Sequence, residues 1–133
     1  MAEQTLDFWP DIAGARLKHT PLSLIKQQAA LLGKHTGNLL EGVVATNTSA
    51  GRPSHRFYIK VPTLGYNYEL FRVSHDFVEL YPVRIDAGPH KTQYRDDQPV
   101  LASEAELLDW LKNVLSSDET KRVLGSLLAQ IES

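Results

Sequence analysis

Histidines and carboxylates are the residues of this chain whose types could do acid–base or metal chemistry. They are His19, His35, His55, His75 and His90, together with Asp76, Asp86, Asp96, Asp97 and Glu104. Two imidazoles on one helix face would need an i, i+4 spacing to share a metal, and no pair here has it; there is no HExxH. His75-Asp76 has the composition of a general-base pair, but adjacent residues in a tight turn point apart and aspartate favours turns for its own backbone hydrogen bonds. Asp96-Asp97 with Asp86 and Glu104 could supply oxygen ligands to a divalent cation, yet the spacing matches no calcium loop. Carboxylates just before a helix are explained by its positive end. Gly33 and Gly37 follow a helix and precede a strand, the reverse of a phosphate-cradling loop. Tyr58, Tyr66, Tyr68, Tyr81 and Tyr94 with Arg56, Arg72 and Arg84 could stack bases. However, the ribonucleoprotein pattern is missing and the tyrosines divide between sheet faces. The expectation is a protein with no catalytic residue, no metal ligand and no cofactor.

Composition narrows the class further. With 14 basic and 16 acidic residues the net charge is −2, which provides no electrostatic footprint for nucleic acid or an anionic membrane. The absence of cysteine removes thiolate chemistry and suits a reducing compartment. No apolar run approaches the roughly 20 residues of a membrane span, and the first residues lack the basic and apolar regions of a signal peptide. A cytoplasmic, single-domain protein of residues 1–133 is expected, with residues 1–19 as a lead-in arm carrying Phe8, Trp9, Ile12 and Leu17.

The elements that must position these side chains follow from periodicity. Thr20-Pro21 predicts a helix start, with threonine accepting from an orphan N–H and proline at a position whose N–H is not needed. Leu22, Ile25, Ala29 and Leu32 form its apolar stripe, and Gly33 or Gly37 ends it. Leu39 to Thr46 reads as a strand in which Gly42 suggests a bulge, and residues 47–54 read as a loop. Strands are predicted at Arg56–Val61, Tyr66–Ser74 and Phe77–Ile85, followed by a long loop over residues 86–99. Ser103 and Glu106 make a capping box before Leu107, Leu108, Trp110, Leu111, Val114 and Leu115. Ser117 recaps a last helix carrying Val123, Leu124, Leu127, Leu128 and Ile131. The fold class is α+β: an N-terminal helix, a four-stranded antiparallel meander, and two C-terminal helices packed on the sheet.

Alternation along the strands then assigns faces. With His75-Asp76 as one turn, Arg72 pairs with Glu79, Val73 with Val78 and Phe71 with Leu80. With Pro62 to Gly65 as the other, Val61 pairs with Tyr66, Ile59 with Tyr68 and Phe57 with Leu70. One face, including Phe57, Ile59, Tyr68, Leu70, Tyr81 and Val83, is the core. The other bears a contiguous apolar group, Phe71, Val73, Val78 and Leu80, next to a loop with Arg84, Tyr94 and Arg95. These seven residues are the expected binding site, because a large bare apolar patch marks an interface and Tyr and Arg are enriched at hot spots.

The function expected is therefore non-enzymatic binding of a protein partner or a second copy, without nucleic acid or membrane. Two alternatives stand beside it. One is a small enzyme with a site assembled from His55, His75, His90 and Asp76; the other is a small-ligand binder with a pocket lined by Tyr68 and Tyr81. In architecture and composition, though in no motif, the chain is similar to bacterial toxin-immunity and defence-accessory proteins.

Overall fold

The computed structural model describes residues 5–86 and 99–133. Within them, one helical turn α1 (Ile12–Ala15) and helix α2 (Pro21–His35) precede strands β1 (Glu41–Ser49), β2 (Arg52–Val61), β3 (Tyr66–Ser74), β4 (Val83–Asp86) and β5 (Val100–Leu101). Helices α3 (Glu104–Leu115) and α4 (Asp118–Ile131) close the chain. The strands form one antiparallel sheet in the order β1-β2-β3-β4-β5, so the predicted α+β meander with two C-terminal helices on the sheet holds, with five strands rather than four.

The helix starts are those predicted. Thr20 Oγ1 accepts the Ser23 N–H at 3.1 Å while Ser23 Oγ accepts the Thr20 N–H at 2.9 Å, a reciprocal cap. Ser103 and Ser117 accept the Glu106 and Thr120 N–H groups. At Ser103 one half of the box forms, since the Glu106 carboxylate takes the Ser103 hydroxyl instead. The buried Thr120 hydroxyl donates to the Val114 carbonyl at 2.7 Å and ties the start of α4 to the end of α3.

Three strand predictions are corrected. Residues 47–54 are not a loop: β1 and β2 continue to a Ser49–Arg52 pair and reverse through Ala50-Gly51. Both residues hold positive φ, 54° and 75°, and a two-residue reversal of that hand matches the strand twist. Phe77–Ile85 is a strand only from Val83 onward, where Val73 pairs with Ile85 and Ser74 with Arg84. His75-Asp76 is therefore no hairpin turn, and Arg72 lies opposite Asp86 rather than Glu79. Its guanidinium instead takes both Glu69 oxygens, at 2.7 and 3.1 Å.

The third correction concerns β3. Val61–Tyr66 and Ile59–Tyr68 pair as predicted and Tyr58–Glu69 keeps that register, but Phe57 then pairs with Phe71, leaving Leu70 as an extra residue. This bulge reverses the parity of everything beyond it. Phe71 and Val73 turn into the core, fully buried beside Phe57, and the Phe71 ring stacks on Phe57 (centroids 5.1 Å) and meets the Trp110 indole edge-on at 5.0 Å.

Gly42 pairs regularly with Ile59, and its role is close approach rather than a bulge. A Cβ there would lie 2.5 Å from both the Cα and the carbonyl oxygen of Ala29, so α2 rests directly on the β1 backbone. Gly42→Ala must push the helix outward and is expected to lose about 1–3 kcal/mol of stability, measurable by urea denaturation. An unchanged midpoint would contradict this spacing.

Candidate functional site

Helices α2, α3 and α4 cover one face of the sheet, and where they diverge a groove of about 600 Å³ remains. Phe57 and Ile59 form its floor with Leu70, the bulge residue, beside them. The walls are Leu31 and Leu32 of α2, Leu108, Leu111 and Leu115 of α3, and Leu124 and Leu128 of α4. Polar groups come from Gln28, His35, Thr36, Lys112, Ser116 and Thr120, so the lining contains a lysine and a histidine but no carboxylate. Leu31 and Leu108 remain 41% and 44% exposed at the lip. A concave, mostly apolar site with a few polar groups at its margin is the usual build of a binding site.

Leu32, Leu108, Leu111, Leu115, Leu124 and Leu128 belong to the apolar stripes expected from sequence, whereas Leu31 lies outside the stripe expected for its helix. The available signal was width: Leu31-Leu32, Leu107-Leu108 and Leu127-Leu128 each put apolar residues side by side, more than one helix-to-sheet contact can cover.

Among the described residues, the predicted site residues do not form one exposed patch. Phe71 and Val73 are interior, Val78 is 93% exposed, Leu80 is half-buried, and Arg84 is exposed on β4. The predicted apolar sheet patch is thus dissolved by the bulge, which sends two of its four members inward. Tyr94 and Arg95 lie outside the described residues, as do His90, Asp96 and Asp97.

Two of the suspected catalytic residues do converge. His55 and His75 are buried, at 3% and 7% exposure, with their Nε2 atoms 2.8 Å apart. They continue the inward row of Phe57 and Phe71, at the end of the sheet face away from the Pro62–Leu64 turn. With one proton on each ring, the proton positions follow by elimination. The Asp76 backbone carbonyl only accepts, so the His75 Nδ1–H donates to it at 2.8 Å, which leaves His75 Nε2 as an acceptor. The His55 Nε2–H donates to that nitrogen, and His55 Nδ1 accepts from the Thr46 hydroxyl at 2.8 Å. Burial, then His75, then Lys26 hold the His55 imidazole down at about 4. The Asp76 carboxylate pairs with Arg52 at 3.0 Å rather than orienting an imidazole. Neither histidine lines the groove, and all four ring nitrogens are satisfied, which is the arrangement of a structural polar link.

A second depression lies between Leu64, Tyr66 and Tyr68 and the α4 residues Arg122, Val123 and Gln130. Burial and the neighbouring Glu119 push the Tyr68 hydroxyl up. Tyr68 lines this depression, whereas Tyr81 lines neither of these two spaces. Among the described residues no cluster of three or more histidines and carboxylates could hold a metal ion, and no helix is long and apolar enough to cross a membrane. Compared with known proteins, the chain matches no family model, no curated protein and no solved structure.

Proposed function

We propose that this protein is a non-enzymatic, cytosolic interaction module that binds an apolar, acid-flanked segment of a protein partner in the groove between α2, α3 and α4. The carrying observation is the groove's lining: leucines from three helices over an aromatic floor, with Lys112 and His35 and no carboxylate. Leucine walls of this kind suit an amphipathic helix or turn presenting side chains one helical step apart. The lysine favours partners carrying Asp or Glu beside those side chains and selects against basic ones. The setting suggested by composition, an immunity- or defence-accessory role, is compatible with such a module.

Isotope-labelled protein titrated with a leucine-rich amphipathic peptide bearing acidic flanks tests the reading. The expected result is progressive shifts of the Leu31, Leu108, Leu115 and Leu124 methyl resonances, and little response to a peptide of the same composition with its stripe scrambled. Absence of shifts, or shifts centred elsewhere, would sink the proposal. A groove of about 600 Å³ also lies within the size range of small-molecule sites. Methyl shifts with an apolar dye such as anilinonaphthalene sulfonate, with none from the peptide, would transfer the site to a small ligand.

A further inference from the structure

We infer that the N-terminal arm of one copy docks in the helix-lined groove of a second copy, and reciprocally, so that the protein assembles as an arm-exchanged dimer. The inference rests on reading the groove as a peptide-binding site and names its occupant.

The arm is the least explained part of the surface. Every residue from 5 to 19 is exposed, including Leu6, Phe8, Trp9, Ile12 and Leu17 at 71%, 86%, 78%, 57% and 64%. Five large apolar side chains within a dozen residues, two of them aromatic, form the kind of bare group that marks a contact surface. The arm is also partly preorganised. Asp7 Oδ1 accepts the Trp9 N–H at 3.0 Å, Asp11 Oδ1 accepts the Gly14 N–H at 3.2 Å, and Ile12–Ala15 is already helical. Local order of this kind lowers the entropy cost of docking.

Charge selects the same pairing. Around its aromatic pair, from Thr5 to Ala15, the arm carries Asp7 and Asp11, with Arg16 and Lys18 only in the stretch that leads into α2, whereas the groove lining carries Lys112 and His35 and no acid. Like-for-like stacking of two grooves would instead bring lysine to lysine.

Topology favours a second copy. No arm residue is among those lining the chain's own groove. About 11 residues separate Trp9 from Thr20; with Ile12–Ala15 kept helical the reach is up to roughly 30 Å, enough to span to a neighbour. Exchange of identical segments about a two-fold axis closes the assembly. Phe8 and Trp9 alone can bury about 150–250 Å² each. Two-fold symmetry doubles that burial, and it concentrates the contact on two aromatic anchors per copy.

Sedimentation velocity of the whole chain over a wide concentration range provides the test. A monomer–dimer equilibrium is expected, weakened at least about tenfold by Phe8→Ala with Trp9→Ala, and equally by Leu31→Glu with Leu108→Glu. All four positions are exposed, and circular dichroism and urea midpoints should confirm that both double variants remain folded. Mixing the two variants should recover association, because one intact arm then meets one intact groove. A wild-type chain that stays monomeric would overturn the inference. So would a dimer that ignores the arm variant, or a mixture that fails to recover. An arm bound to its own groove, seen as concentration-independent contacts, would overturn it as well. If the helical peptide above still moves the groove resonances, the groove reading survives that failure; if it does not, both fall.

Discussion

Phe71→Ala should destabilise the protein by about 3–5 kcal/mol, while Val78→Asp should change stability by no more than about 0.5 kcal/mol. Phe71 is fully buried, with the Phe57 ring stacked at 5.1 Å and the Trp110 edge at 5.0 Å, so truncation removes apolar transfer energy and leaves a cavity between sheet and α3. Val78, at 93% exposure, already has its side chain in water. Urea denaturation of both variants measures the contrast, and it bears directly on the β3 bulge. Strict alternation would put both residues on one face and predict similar behaviour. Comparable losses in the two variants would return Phe71 to the face of Val78 and remove the bulge.

Acidification is expected to destabilise the fold by up to roughly 3 kcal/mol through His55 alone. Its folded value lies at about 4 against 6.5 unfolded, lowered by burial first and then by His75 and Lys26. Between those values the unfolded chain binds a proton that the folded chain refuses, so stability rises with pH across this window. The contribution is complete above pH 6.5 and is lost as pH falls toward 4. Unfolding free energies at several pH values between 7.5 and 4.5 give the slope. A His55→Leu/His75→Leu double variant should flatten the part of the slope that carboxylates do not supply. It remains foldable because removing both imidazoles together leaves no buried nitrogen orphaned, and Thr46 and Asp76 are exposed to water. An identical slope in the double variant would show that His55 ionises freely in the folded chain.

The local elements were legible because their signals are local. Thr20-Pro21, Ser103 and Ser117 satisfy helix N–H groups within three residues of themselves, and the stripe through Ile25 and Ala29 depends only on helical pitch. The pairing of Val61 with Tyr66 and Ile59 with Tyr68 was legible for the same reason, since a short connection sets it. The errors begin where non-local pairing takes over. Leu70-Phe71 places two apolar residues in succession, and burial passes from the Tyr68–Leu70 parity to that of Phe71 and Val73. That switch was the visible mark of the bulge, but its position is set by pairing to Phe57 on another strand. Gly42 was visible as an anomaly, yet only the seating of α2 distinguishes close approach from a bulge.

Composition and periodicity were thus enough to establish an α+β chain with an antiparallel meander between one helix and two, because charge, cysteine content and apolar spacing are properties of short windows. Which apolar residues remain reachable was a tertiary matter. One inserted residue in β3 buried the expected patch, and the divergence of three helices opened a leucine groove whose parts lie far apart along the chain. The meeting of His55 with His75 was likewise decided in three dimensions, since it requires two strands to carry the same inward parity to the same end of the sheet. Surfaces are sums over distant segments, and no local pattern encodes where those segments leave a gap.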